Sequence, residues 1–251
     1  MASRPGAIGE ALLHHLACFG ELDDEDAQAV LAIVGEVRTY ARDQDILRVG
    51  EPPPFSVIIL EGVLHRYAGR ADGGRQIYGF YLANEAPCLE AIHIDVMDHN
   101  VAPLVESRVG LVPIPVLLEL MDRRPRVLAL VWRQTLIQAA MFRAWLMRNS
   151  AQPAHAAMAH LFCEALLRAE AAGLGDGSSC DLPVTQEVLA DALGISLVHV
   201  NRTLQILRQS GAVDFRGGRL QANDLARLWS IAEFDPHYLH LRHRDPRGPS
   251  V

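Results

Sequence analysis

The sequence predicts an α+β chain built from a β-sandwich or roll, a long helix, and a small helical domain that ends in a hairpin. Three observations predict it. Short apolar runs separated by turn residues fill 36–115, Pro125 opens a stretch with apolar residues four apart, and two short helical patterns meet at Gly194. The chain has 251 residues, half of them hydrophobic, which is enough core for two small domains or one large one.

The first 32 residues carry helical apolar spacing in two segments. Asp23 and Asp24 are placed to cap the second helix, whose apolar positions run to Val34. The apolar stretch 11–19 contains two histidines and lacks a basic start, so we do not interpret it as a signal peptide. No apolar run reaches the ~20 residues that a membrane span needs. We therefore expect a cytoplasmic protein with no membrane partner.

Strands are predicted next, because apolar runs of strand length alternate with glycine and proline turns. The runs are 57–60, 63–67, 76–82 and 109–114. Asp72-Gly73-Gly74 has the composition of a tight hairpin turn between the second and third runs. Many short strands of this kind indicate a β-sandwich or roll.

The long helix is predicted over 125–149, with proline at its first position. Its apolar stripe is long and contains small residues in its second half, which is typical of a helix that packs against its own twin. The candidate dimerisation residues are Leu128, Val131, Trp132, Leu136, Ala139 and Ala140. The alternative is that the stripe packs only on the chain's own sheet. Residues 149–153 then break the pattern as a candidate hinge, 154–172 form a further helix, and 173–179 form a loop.

The segment 182–211 predicts a helix-turn-helix. Thr185 and Ser196 are placed to cap two short helices, and Gly194 supplies the left-handed backbone that the turn between them requires. Residues 212–215 and 220–222 are predicted to pair as a hairpin, or wing. Asn223 is then expected to cap a last helix that runs to Ala232.

The second helix and the wing carry the candidate DNA contacts. Four arginines lie in 196–222 against one acid, Asp214, so the local charge is positive although the chain has a net charge of −7. Arg202 is placed to bind guanine, and Leu197 and Val198 are placed to touch thymine methyl groups. Phosphate contacts are expected from Thr185, Gln186, Ser196 and His199. The full candidate set is Thr185, Gln186, Ser196, Leu197, Val198, His199, Asn201, Arg202, Gln205, Arg208, Arg216 and Arg219.

In this order of parts, and in Ile195-Ser-Leu-Val-His-Val-Asn-Arg-Thr-Leu204, the chain resembles the Crp/Fnr superfamily of transcription regulators. The turns Gly50-Glu51, Glu61-Gly62 and Asp72-Gly73 and the tail 233–240 are also similar to members of that family. The resemblance implies a homodimer on a palindromic site in double-stranded DNA, with recognition helix 196–210 in the major groove, and control of RNA polymerase. It divides the chain into a cyclic-nucleotide-binding-like jelly roll with its N-terminal helices (1–124), a dimerisation helix (125–149), a winged helix-turn-helix domain (150–234) and a tail (235–251).

Departures from the family leave the signal open. The stretch that corresponds to the family's phosphate-binding segment, 87–101, has no arginine, which argues against a cyclic nucleotide. Only Cys18 lies where iron–sulfur members carry a cysteine cluster. Val198 replaces the family's usual glutamate, so direct reading of a cytosine is not expected. We predict no resident cofactor, and keep a cyclic-nucleotide-, metal- or haem-responsive regulator as the alternative and a module that does not bind DNA as a remote one.

The remaining reactive side chains point to no catalytic site. His93, Asp95, Asp98 and His99 gather in one segment, for which a polar loop is favoured over a metal or haem site, and no metal site is predicted. The four cysteines are not spaced as metal or redox pairs, and Cys163 is expected in the core. The sequence also lacks a glycine-rich phosphate loop, a nucleophile elbow and metal-hydrolase spacing. We therefore do not expect an enzyme.

Overall fold

The structure, a computed structural model, describes residues 6–242 and has the predicted α+β architecture. The helices are α1 Ala7–Ala17, α2 Asp24–Leu31, α3 Ile114–Arg123, α4 Pro125–Ala151, α5 Ala154–Ala171, α6 Gln186–Leu193, α7 Leu197–Gln209 and α8 Leu225–Ala232. The strands are β1 Glu36–Tyr40, β2 Phe55–Glu61, β3 Val63–Gly69, β4 Arg75–Leu82, β5 Asn100–Pro103, β6 Ser107–Pro113, β7 Ser179–Asp181, β8 Val213–Arg216 and β9 Arg219–Ala222. No helix within 6–242 is both long enough and apolar enough to cross a bilayer.

The roll consists of two antiparallel sheets with strand orders β1-β6-β2 and β4-β3-β5. Apolar side chains from both sheets meet between them, among them Val57, Ile59, Leu64, Val101 and Val109, all of which are buried. Val57 and Ile59 face this core, whereas Ile58 between them packs with the N-terminal helices. Both sides of β2 are therefore buried, which is why the strand is a continuous apolar run in the sequence. The β3–β4 hairpin closes at the predicted turn, where Arg70 N–H donates to Gly74 O at 2.8 Å.

Several predicted boundaries were wrong. β6 ends at Pro113, and Ile114 begins α3, a helix that was not predicted; Pro115 is accommodated because the first turn of a helix has no partner for that N–H. α2 ends at Leu31, and Val34 lies beyond it with 67% of its surface exposed. The cap of α8 is Asp224, whose carboxylate accepts from Arg227 N–H at 2.9 Å, rather than Asn223.

The connection to the C-terminal domain also differs in detail from the prediction. α4 continues to Ala151, so the break before α5 falls at Gln152 and Pro153. The stretch predicted as a loop leads into β7, which adds a strand to the wing by pairing with β9. The division into domains at 124, 149 and 234 stays a prediction.

A buried polar network fastens the tail to the helices. Glu164 of α5 accepts hydrogen bonds from Tyr238 Oη at 2.6 Å and from Trp145 Nε1 at 3.1 Å, and it pairs with Arg168 at 3.3 Å. Leu239 is buried as well, in a 3-10 helix, Pro236–Leu239. Tyr238 and Leu239, which lie in the segment predicted as a tail, therefore pack against the core, whereas His237 is exposed and 243–251 lie outside the described residues.

Gly62, at the turn between β2 and β3, provides a first test of the fold. Its φ is +93°, and an added Cβ would lie 2.1 Å from Ser107 Oγ and 2.9 Å from Ser107 Cα. We expect Gly62→Ala to lower the free energy of unfolding by about 1–3 kcal/mol, because alanine suffers both the left-handed backbone and the close contact. Urea unfolding followed by circular dichroism measures this. Gly69→Ala is the matched control, since an added Cβ meets nothing within 4 Å there. Equal losses of unfolding free energy in the two variants would contradict the close contact between Gly62 and Ser107.

Candidate functional site

The helix-turn-helix forms as predicted. Thr185 Oγ1 accepts from Val188 N–H and Ser196 Oγ from His199 N–H, each at 3.3 Å, so both helices begin at side-chain caps. Gly194 ends α6 with φ +67°. Val200, Leu204 and Leu207 are buried and hold α7 against the domain. The geometry leaves one whole face of α7 in solvent.

The exposed face of α7 carries the predicted DNA-reading residues. Those in solvent are Ser196, Leu197, Val198, His199, Asn201, Arg202, Gln205 and Arg208. Thr185 and Gln186, at the start of α6, are half-buried. Asn201 Nδ2 donates to Leu197 O at 3.1 Å, a contact within the helix that DNA would have to replace. The structure therefore presents these side chains together, and their roles stay a prediction.

The wing neutralises more of the positive charge than the sequence count indicated. Asp214 Oδ1 accepts from Arg208 Nε at 3.3 Å and from Arg216 Nε at 3.0 Å. Arg219 pairs with Asp181, an acid outside the counted segment, at 2.9 Å. Arg202 has no ion pair within residues 6–242. Within the described residues it is the one of the four candidate arginines whose guanidinium is not held in a salt bridge.

Side chains from the roll and α4 fix the orientation of α6. Arg75 Nε donates to Asp191 Oδ2 at 2.7 Å, and Gln76 Nε2 donates to Asp191 O at 2.9 Å. Asn149 Nδ2 donates to Ala192 O at 2.9 Å. The last carbonyls of a helix have no partner within it, so the side-chain amides of Gln76 and Asn149 cap the C-terminal end of α6. Sequence reasoning missed this contact because it joins residues more than 40 positions apart.

Most, but not all, candidate dimerisation residues lie on a free face of α4. Leu128, Trp132 and Leu136 are exposed, and Ala139 and Ala140 are half-buried. Val131 instead lies buried against the N-terminal helices of its own chain and has no surface left for a partner. The free face has alternating spacings of four and three residues, as in a coiled-coil seam. The residues at this spacing are Leu128, Trp132, Thr135, Ala139, Phe142 and Leu146.

A cleft of about 860 Å³ lies between the roll, α4 and the turn of the helix-turn-helix. Although 87–101 has no arginine, Arg66 of β3 enters the cleft and is buried. Burial alone would lower the pKa of Arg66, but the Glu90 carboxylate paired with it raises that pKa above the usual value. Arg66 therefore stays charged, and Glu90 neutralises it locally.

The predicted polar loop is divided by the fold. His93 and Asp95 point into solvent, whereas His99 is buried and its Nδ1 lies 2.5 Å from Asp98 Oδ1. His99 instead approaches Cys88 and Glu90, with which it forms a compact group of potential metal ligands. The four cysteines lie within the described residues and are all free, and Cys163 is buried as expected.

Comparisons with known proteins agree with the resemblance that the sequence indicates. Residues 158–231 match the Crp-like helix-turn-helix domain. The transcriptional activator protein FnrL of Cereibacter sphaeroides is 26% identical over 234 residues, covering 90% of this chain and 92% of the relative.

The fold is similar to that of FixK2 from Bradyrhizobium japonicum (TM-score 0.70, 22% identity, 79% of this chain and 98% of that one). It is also similar to a CRP-family transcriptional regulator from Thermus thermophilus (TM-score 0.60, 20% identity, 78% and 97%). These homologues are transcription regulators, which confirms the expectation of a protein that is not an enzyme. Residues 158–231 therefore form a Crp-like helix-turn-helix domain, and the chain is similar over nearly its whole length to transcription regulators of the Crp/Fnr type.

Proposed function

We propose that the protein binds a palindromic DNA site as a homodimer, with α7 of each protomer in a successive major groove. The observation that carries the proposal is that one chain has two free faces: the exposed face of α7 and the face of α4 with coiled-coil spacing. Two helix-turn-helix domains joined by a twofold seam fit half-sites one helical turn apart. We place this activity in the cytoplasm, where bacterial DNA lies, and propose that it controls transcription by contacting or excluding RNA polymerase.

The experiment is selection of bound sequences from a random DNA pool by the purified chain without additives. A recovered palindrome with half-sites about 10 base pairs apart, centre to centre, supports the proposal and favours a regulator that is active without a ligand. Recovery of single, unpaired half-sites would contradict the homodimer.

A second candidate is a regulator of the same architecture that depends on an effector. It is favoured by the cleft, whose lining includes Leu193 and Gly194 of the helix-turn-helix, so that a bound molecule would touch the DNA-binding domain directly. Repeating the selection with a cyclic nucleotide, haem or a divalent metal separates the two. A palindrome that is recovered only with one of these additions assigns control to that effector.

Arg202 is the residue whose loss is expected to cost most of the base-specific affinity. Arg202→Ala removes an unpaired guanidinium suited to two hydrogen bonds with guanine, so we expect specific binding to weaken by about 1–3 kcal/mol, with relaxed preference at one position of each half-site. Fluorescence anisotropy with the selected operator and with a scrambled duplex measures this. Arg48→Ala is the matched control, because Arg48 is exposed on the roll. Unchanged discrimination between the two duplexes would exclude Arg202 as the reader.

A further inference from the structure

The cluster formed by Cys88, Glu90 and His99 at the wall of the cleft has the chemistry of a metal site. One potential ligand atom from each residue lies within 4.8 Å of the others. Cys88 and His99 are buried, and Glu90 is largely so. Thiolate, imidazole and carboxylate are the three ligand types that bind Zn²⁺ in proteins. We propose that these three residues hold a divalent transition metal of the Zn²⁺ type, a property that goes beyond the proposed DNA-binding function.

The orientation of His99 favours metal binding. Its Nδ1 lies 2.5 Å from Asp98 Oδ1, so the Nδ1–H form donates to this carboxylate and Nε2 keeps its lone pair. Ligating histidines almost always donate their other N–H to such a carboxylate, which fixes the ring and strengthens the ligand. Within residues 6–242, His99 Nε2 is buried without a hydrogen-bond partner. The atom that would bind the metal is therefore both oriented and unoccupied by any other contact.

Glu90 supplies the second observation. Its Oε1 lies 3.9 Å from His99 Nε2, and the same oxygen pairs with the Arg66 guanidinium. Two acceptors that face each other in the interior repel unless a cation or a proton offsets them. Arg66 offsets the charge of Glu90, while His99 Nε2 keeps no hydrogen-bond partner within the described residues. A metal ion between them satisfies both, and the Cys88 thiol becomes its third ligand after its proton passes to solvent. Because Glu90 and His99 line the cleft, the fourth position is open to it.

Arg66 competes with the metal for Glu90. Its guanidinium pairs with the Glu90 carboxylate and also lies 5.0 Å from the centre of the Tyr81 ring. Removal of this fixed positive charge is therefore expected to strengthen metal binding. An anion site would behave in the opposite way, because Arg66 would be its principal ligand. Arg66→Gln thus distinguishes a cation from an anion at this wall.

The test is a titration of the full-length, metal-free protein with Co²⁺, monitored by absorption. We expect a thiolate-to-cobalt charge-transfer band that saturates at one ion per chain and disappears on addition of Zn²⁺. Cys88→Ser and His99→Gln should lose it, while Cys180→Ser and His93→Gln, matched controls away from the cluster, should keep it. Asp98→Asn should weaken binding by about 10–100-fold, and Arg66→Gln should strengthen it. The absence of a thiolate band in the wild-type protein, or its persistence in Cys88→Ser, would overturn the proposal without reference to DNA binding.

Discussion

Replacing Trp132 with glutamate is expected to convert the protein to a monomer and to reduce affinity for a palindromic operator by more than about a hundredfold. Trp132 lies on the free face of α4 with 61% of its surface exposed, between Leu128 and Thr135 on the seam. A tryptophan buried at the centre of an interface typically contributes about 2 kcal/mol or more. In the proposed twofold seam each substitution is present twice, so the two new carboxylates would be brought close together in an apolar contact.

The loss of operator affinity follows from the loss of the dimer. A dimer contacts both half-sites in one binding event, so the second contact is effectively intramolecular, whereas a monomer must bind each half-site separately. Val34→Glu is the matched control, because Val34 is an equally exposed apolar residue that lies outside α4. Sedimentation equilibrium at micromolar concentration gives the mass, and anisotropy gives the affinity. A Trp132→Glu protein that sediments as a dimer would show that a different surface joins the protomers.

The sequence was sufficient for the architecture wherever a signal is local. The caps Thr185 and Ser196, the turn at Gly194 and the wing hairpin follow from residue types at fixed spacings, and each lies where it was predicted. Boundaries were less accurate because neighbouring residues compete for the same role. Asp224 rather than Asn223 caps α8, and both side chains are suited to capping.

The parts that were missed depend on contacts between residues distant in sequence. Arg66 was not predicted in the cleft because it belongs to β3, whereas the segment searched for an arginine was 87–101. Val131 was assigned to the dimer face because apolar periodicity does not distinguish a stripe that packs on the chain's own N-terminal helices from one that faces a second chain. When a helix is apolar on two faces, its sequence pattern contains both faces together. Only the folded structure shows which of these apolar residues are buried within the chain.

Three buried histidines outside the cleft share an arrangement that is expected to make the fold sensitive to mild acid. Each is faced by the positive charge of an arginine. The pairs are His15 with Arg168, His65 with Arg75, and His160 with Arg148. In two pairs a ring nitrogen contacts the guanidinium directly, at 3.4 Å for His65 and 3.2 Å for His160. A neutral imidazole tolerates such a neighbour, but a protonated one does not.

Burial first, and the arginine charge second, lower the pKa of His15 to about 3 and the pKa values of His65 and His160 to about 4. In the unfolded chain each histidine has a pKa near 6.5. Between these values the unfolded chain binds more protons than the folded one, so the free energy of unfolding is greatest above pH 6.5 and falls as the pH falls toward 4. From pH 7 to pH 5 each histidine is expected to cost about 2 kcal/mol, and the three together about 5–6 kcal/mol.

Urea unfolding at pH 7, 6 and 5, at one fixed protein concentration, tests this expectation. Carboxylates contribute little to the change, because their ordinary pKa values near 4 lie below this range. His160→Gln should reduce the loss between pH 7 and pH 5 by about 2 kcal/mol, since glutamine does not titrate, whereas His93→Gln should leave it unchanged because His93 is exposed. The quantity compared is the change in the free energy of unfolding between pH 7 and pH 5, so the comparison is insensitive to any destabilisation that the substitution causes at pH 7. A wild-type free energy of unfolding that is the same at pH 7 and pH 5 would mean that these histidines are protonated as readily in the folded chain as in the unfolded one, and that the facing arginines move away to admit the charge.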